Sequence, residues 1–118
     1  MKFAIINDSH IGPGQSGFEK GIRRKLVNQS ESILAAIIAT LNQVEKPELV
    51  FNLGDSIEDV NDRQTDLGSF KKFLTLVAPL VTPIYHLIGN HDVRTLAETE
   101  IAALLHYPKM YYSFTAGG

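Results

Sequence analysis

The 118-residue sequence has the length of one domain and, with 44% hydrophobic and 20% charged residues, the composition of an ordinary globular protein. Because it contains no cysteine, both a disulfide framework and a thiolate metal site are excluded. Its formal net charge of −2 gives no bulk electrostatic reason to expect binding to nucleic acid or to a membrane surface.

The N-terminal residues do not have the pattern of a targeting segment. Only four apolar residues, 3–6, precede the polar pair Asn7 and Asp8, whereas a signal peptide needs an apolar stretch of about 7 to 15 residues. No run approaches the roughly 20 apolar residues of a membrane span. We therefore expect a cytoplasmic protein that does not enter the membrane.

Short apolar runs alternate with amphipathic segments along the chain. Residues 3–6 predict a buried strand, residues 11–25 a glycine-rich loop, and the helical spacing of Leu34, Ile38 and Leu41 a helix that ends before Pro47. The pattern then predicts a strand over 49–53, a polar loop over 56–66, a helix over 70–77, a strand over 84–88, a helix over 97–105 and a fourth strand from 111 to 114.

This order, βαβαβαβ, is typical of an α/β domain. Right-handed crossovers between successive strands imply a largely parallel sheet with flanking helices. We expect residues 1–118 to form a single domain that is incomplete, because the sequence ends in Gly117-Gly118 just as the fourth strand begins.

Three polar motifs lie where predicted strands end, at the edge of a parallel sheet where ligands bind. Asp8 and His10 are two residues apart, so in an extended segment both project to the same side. Asp55 follows Gly54 after the second strand, and residues 89–92, Gly-Asn-His-Asp, follow the third. Adjacent strands are about 4.8 Å apart, so these side chains can converge on two metal ions about 3.5 to 4 Å apart.

In order and spacing the three motifs resemble the DxH, GD and GNHD motifs of the calcineurin-like metallophosphoesterases. The resemblance implies that this chain is the N-terminal half of a four-layer α/β/β/α fold. It also implies hydrolysis of a small phosphomonoester or phosphodiester by a dinuclear metal-hydroxide mechanism. The two divalent cations would be manganese, iron or zinc, which all accept carboxylate, amide and imidazole ligands.

The resemblance also implies the metal ligands. Asp8 and His10 would bind the first metal ion, Asp55 would bridge both ions, and Asn90 would bind the second.

The remaining roles fall on and after the third motif. Asn90 and His91 would contact the substrate, and His91 would bind the scissile phosphate or protonate the leaving group. Asp92 would orient His91, although it also fits a simple cap before the third helix. Arg94 is placed as in some class III cyclic-nucleotide phosphodiesterases of the family and would contact substrate, or pair with Glu98 one turn on.

The sequence departs from the family pattern in its second half. Family members carry a further isolated histidine and a GHxH motif there, and no GHxH occurs in these residues. The alternative is therefore a truncated, catalytically inactive metal-binding or interaction domain. An open sheet edge and an uncovered apolar face would also favour a homo-oligomer.

Several other polar residues have ordinary explanations. The basic run 23–25 could reach a substrate phosphate, but such a run is more often a solvated loop face. Asp59, Asp62 and Asp66 could form an acidic rim, or could simply keep the loop soluble. His86 lies in mid-strand and is expected to be a core histidine with satisfied hydrogen bonds.

Overall fold

A computed structural model describes residues 1–14 and 25–117 in full, and residues 18–19 and 22–23 as backbone only. The strands are β1 (Phe3–Ile6), β2 (Phe18–Glu19), β3 (Ile22–Arg23), β4 (Leu49–Asn52) and β5 (Ile84–His86). The helices are α1 (Val27–Thr40), which continues into a π-helical turn (Leu41–Glu45), α2 (Arg63–Val77) and α3 (Glu98–Leu105).

The main sheet has three parallel strands in the order β1-β4-β5. Phe3 pairs with Leu49, and Val50 pairs with Ile84, so the carboxyl ends of all three strands lie at one edge. The predicted α/β class and parallel sheet are therefore confirmed. The backbones of β2 and β3 form a separate antiparallel pair within the predicted glycine-rich loop.

One face of the sheet carries the larger core. Apolar side chains of alternate strand positions pack against α1 and α2, because successive residues of a strand point to opposite faces. The buried members of this core are Ile6, Ile11, Leu34, Ile38, Leu41, Val50, Phe73 and Val77. A second cluster anchors α3 beside α2 and contains Ile57, Phe70, Leu96, Ile101, Ala102 and Met110.

The opposite face of the sheet is only partly covered. Phe3 and Ile5 are 50% and 56% exposed. The predicted fourth strand is wrong, because residues 111–114 form no strand in the described structure. Instead, the Phe114 ring stacks on Tyr85 of β5 with a centroid distance of 4.1 Å. Aromatic contact with this face takes the place of strand pairing.

Helix α2 begins at Arg63, seven residues before residue 70, where the sequence predicted that it would begin. Asp62 supplies the reason, because its carboxylate accepts a hydrogen bond from the Thr65 backbone N–H at 2.9 Å and caps the helix. Asp66 in the first turn is fully buried and accepts from the Val60 N–H and the Thr95 hydroxyl. Asp62 and Asp66 therefore stabilise the fold, and neither forms an acidic rim.

Within the described ranges, every helix is too short or too polar to cross a bilayer.

Candidate metal centre

The backbone turns sharply where β1 and β4 end. Asp8, His10 and Asp55 have positive φ angles of 55°, 46° and 50°, and Gly54 has a φ of 101°. This left-handed conformation is uncommon for residues other than glycine and is concentrated at functional sites. The two segments pair again beyond the turns, through the hydrogen bond from Ile11 N–H to the Ser56 carbonyl at 2.9 Å. Backbone pairing on both sides therefore fixes the positions of the motif side chains.

Two glycines allow the loops after β4 and β5 to touch. A Cβ atom on Gly89 would overlap the backbone nitrogen and carboxylate of Asp55, and one on Gly54 would overlap the backbone of Gly89. Only glycine is compatible with this approach. The glycines that precede Asp55 and Asn90 thus have a packing role as well as a conformational one.

Asp8, His10 and Asp55 converge as the sequence predicted. One carboxylate oxygen from each aspartate and a ring nitrogen of His10 all lie within 4.8 Å of one another. Asp8 Oδ1 lies 3.5 Å from His10 Nε2. Two carboxylates and an imidazole are a donor set that manganese, iron and zinc accept, so these three residues fit a divalent cation.

Glu58 holds the other nitrogen of the His10 ring. Its Oε2 atom lies 2.9 Å from His10 Nδ1, and His10 is buried. A carboxylate at this distance favours a hydrogen on Nδ1, which leaves the lone pair of Nε2 directed toward Asp8. Glu58 therefore orients the His10 ring so that Nε2 is available to a metal ion, a contact that the sequence did not predict.

His91 is held by two different aspartates. Its backbone N–H donates to Asp55 Oδ1 at 3.0 Å, and its Nδ1 atom lies 2.6 Å from Oδ1 of Asp59, whose side chain is only 8% exposed. The rings of His91 and His10 meet edge to face with a centroid distance of 4.9 Å. Asp59 is thus the carboxylate that orients His91.

Asp92 does not have the contact expected of it. Its buried carboxylate accepts hydrogen bonds from the backbone N–H groups of Ser56 at 2.8 Å, Ile57 at 3.2 Å and Gly89 at 2.9 Å. Burial raises the pKa of Asp92, and these N–H donors act in the opposite direction. The prediction that Asp92 orients His91 is therefore wrong. Asp92 instead joins the loop after β4 to the loop after β5.

Asn90 and Arg94 are both exposed to solvent. Asn90 is exposed in the turn that follows Gly89. The Arg94 side chain is 57% exposed, and its Nε atom lies 3.4 Å from Oδ2 of Asp59. Arg94 therefore belongs to the same group of charges as Asp59 and His91. The metal role of Asn90 and the substrate roles of Asn90, His91 and Arg94 stay predictions.

Lys25 reaches the centre from the residue pair before α1. Its ammonium lies 2.8 Å from Glu58 Oε2, 3.3 Å from His91 Nε2 and 3.4 Å from His10 Nδ1. The prediction that the basic run 23–25 is a solvated loop face is therefore wrong for Lys25. The side chains of Arg23 and Arg24 lie outside the described residues.

The residues that the sequence analysis missed share one signal. Glu58 and Asp59 follow Asp55 closely, and the fully buried Ile57 just before them bridges to Ile11 as in a parallel sheet. This renewed pairing keeps the residues that follow Ile57 beside the loop after β1, which carries Asp8 and His10. The acidic pair after a buried isoleucine was therefore a detectable, though weak, indication.

The family model of the calcineurin-like phosphoesterases matches residues 1–116. With the three motifs in order at the ends of parallel strands, the chain belongs to this family.

Two curated relatives are named manganese-dependent ADP-ribose/CDP-alcohol diphosphatase. The chain is 30% identical to the one from Arabidopsis thaliana, over 98% of this chain and 38% of that protein. It is 28% identical to the one from Oryza sativa subsp. japonica, over 98% of this chain and 37% of that protein. The chain thus spans little more than a third of the relatives' length.

A solved structure has the same fold. It is described as a dimetal phosphatase from Danio rerio and superposes with a TM-score of 0.74 at 19% identity, over 86% of this chain and 33% of that chain.

Proposed function

We propose that the protein hydrolyses small phosphoesters with two divalent cations, and that this chain supplies the ligands Asp8, His10, Asp55 and Asn90. The observation that carries the proposal is the convergence of Asp8, His10 and Asp55 within 4.8 Å at the ends of adjacent parallel strands. Manganese is the first cation to test, because both curated relatives are named for it. When bound, the cations would neutralise charge on the phosphoryl oxygens and lower the pKa of water.

We further propose that His91 donates a proton to the leaving group. Asp59 holds its Nδ1 atom at 2.6 Å, so Nε2 is the nitrogen that faces the centre. The Asp59 carboxylate would stabilise the protonated ring, and Nε2–H would give its proton to the leaving oxygen. The hydrogen bond from the His91 backbone to Asp55 keeps this ring beside the proposed bridging ligand.

The substrate is proposed from the relatives' names. ADP-ribose and a CDP-alcohol are the first compounds to test, together with a generic phosphodiester. The cytoplasmic location and the homo-oligomer expected from the sequence stay predictions. The half-exposed Phe3 and Ile5 support association through the uncovered sheet face, and sedimentation at micromolar concentration would test it.

The proposal is tested on the complete gene product that contains these residues. With manganese present, we expect hydrolysis of at least one of these phosphoesters. We expect Asp55→Ala to lower kcat/KM at least about 100-fold, because the cations contribute several kcal/mol of transition-state stabilisation. Asp62→Asn is the matched control, since Asn preserves the helix cap and the Asp62 carboxylate accepts hydrogen bonds from Thr65.

A second candidate is a metal-binding or interaction domain without catalysis. The observation that favours it is that Asp8, His10 and Asp55 could hold a cation without turnover of a substrate. Tight manganese binding by the complete gene product without turnover of any phosphoester would support this candidate. No manganese binding at all, or full activity of the Asp55→Ala variant, would contradict the proposed hydrolase.

A further inference from the structure

We propose that Lys25 binds the phosphoryl group of the substrate beside His91, an inference that rests on the proposed phosphoester hydrolysis. Lys25 is the first of the two described residues, 25 and 26, that precede α1. Its side chain is 38% exposed, and its ammonium contacts Glu58 in the centre.

The position of the ammonium is set by Glu58 and His91. Glu58 Oε2 at 2.8 Å is the nearest partner of Lys25 Nζ, and it anchors the charge inside the centre. His91 Nε2 is 3.3 Å from the same ammonium. Because Asp59 occupies the Nδ1 side of that ring, Nε2 is the atom left to face a ligand. A phosphoryl oxygen in contact with His91 Nε2 would therefore be within reach of Lys25.

The charges around the centre indicate why a positive charge at Lys25 would help to bind a phosphate anion. Asp8, Asp55, Glu58 and Asp59 place four carboxylates around the two histidines, and this group would repel a phosphate anion. A lysine beside them offers a compact positive charge with three donors, which suits phosphate oxygens. An exposed lysine–glutamate pair alone would contribute little to stability, so folding does not account well for this placement.

The test measures binding of inorganic phosphate and of manganese separately, by calorimetry on the complete gene product. In the manganese-loaded protein we expect Lys25→Met to weaken phosphate binding about tenfold or more, the size of a lost hydrogen bond to a charged group. Lys25→Arg keeps the charge and should retain most of the affinity. Manganese affinity should stay the same or rise in Lys25→Met, because a nearby positive charge is removed.

Lys72→Met is the matched control. Lys72 pairs with Glu31 at 2.9 Å on the surface, away from the metal ligands, and its side chain is 55% exposed. We expect no change in phosphate or manganese binding for this variant.

The outcomes separate this inference from the proposed function. If the wild-type protein binds manganese and phosphate, and Lys25→Met binds phosphate equally well, the role of Lys25 is refuted. A loss of manganese affinity in Lys25→Met equal to the loss of phosphate affinity would also refute it, because Lys25 would then support the ligands. A wild-type protein that binds no manganese contradicts the proposed function itself.

Discussion

Glu58 and Asp59 are neighbours in the sequence, and each contacts the Nδ1 atom of a different histidine. Glu58 lies 2.9 Å from Nδ1 of His10, and Asp59 lies 2.6 Å from Nδ1 of His91. In both rings the Nε2 atom is left to face the centre. Under the proposed function, the same type of contact would orient a metal ligand at His10 and a proton donor at His91.

Replacing Asp59 by Asn should impair catalysis and spare the metal. An amide can hold Nδ1 in the wrong tautomer and cannot stabilise a protonated ring, so we expect kcat to fall at least about tenfold. Manganese affinity, measured by calorimetry, should be unchanged, and Asp62→Asn should be neutral in both measurements. Retention of full kcat by Asp59→Asn would show that His91 works without this partner.

Replacing Glu58 by Gln should have the opposite pattern. The His10 ring would lose the carboxylate that orients it, and we expect manganese affinity to fall about 10- to 100-fold, as for other partners of ligating histidines. The contrast with Lys25→Met is informative, because the two side chains form one ion pair. Equal manganese affinity in Glu58→Gln and wild type would show that Glu58 does not contribute to metal binding.

The sequence predicted the motif residues better than it predicted the side chains that contact and orient them. Asp8, His10 and Asp55 could be recognised because each follows a strand whose apolar run is short and clear. The contacts of Glu58, Asp59 and Lys25 depend on how two loops pair beyond the strand ends, which periodicity does not encode. Asp92 was given the wrong partner because backbone N–H donors are equally available in any sequence.

At the scale of elements, Asp92 is the connection between the loops that follow β4 and β5. Three backbone N–H groups from both loops converge on its buried carboxylate. Ser56 and Ile57 are buried, and Gly89, which closely approaches Gly54, is partly buried. The position of Asp55 relative to His91 therefore depends on the buried carboxylate of Asp92, which joins the two loops.

Asp92→Ala should lower the free energy of unfolding in urea by at least about 1 to 3 kcal/mol, because buried donors lose their acceptor. Glu45→Ala is the control. Glu45 forms an exposed pair with Lys2 at 2.8 Å, so its removal should leave the unfolding free energy nearly unchanged. Similar small effects for both variants would contradict the connecting role of Asp92.

The secondary-structure elements were predicted correctly where the local sequence pattern determines them. The three strands and the helices between them follow from apolar runs and helical spacing, and the structure has them in that order. Helix α2 begins earlier than predicted because a cap at Asp62, not an apolar residue, starts it. Residues 111–114 have the composition of a strand, but long-range stacking of Phe114 on Tyr85 decides their conformation.

For the whole molecule, His86 couples stability to pH. It is buried in β5 beside Asn52, whose Nδ2 atom lies 3.2 Å from His86 Nδ1, and burial lowers the pKa of His86 from 6.5 to about 4. The core histidine predicted from the sequence is confirmed. Between these two pKa values the unfolded chain binds the proton and the folded chain does not, so stability falls as pH falls from 6.5 toward 4.

The loss over this pH range should be on the order of 3 kcal/mol from His86 alone. Urea unfolding of wild type and His86→Gln as a function of pH measures it, and the variant should have a shallower decline below pH 6.5. His106→Asn is the control, since His106 is exposed and Asn tolerates its left-handed conformation. Parallel pH profiles for wild type and His86→Gln would contradict the assignment.

Crystals of the complete gene product grown with manganese, and measured at the manganese absorption edge, would test the central claim most directly. We predict two anomalous peaks that share the carboxylate of Asp55. One should contact Asp8 and His10, and the other should contact Asn90. Peaks located elsewhere, or an Asp55 carboxylate without a manganese neighbour, would contradict the account.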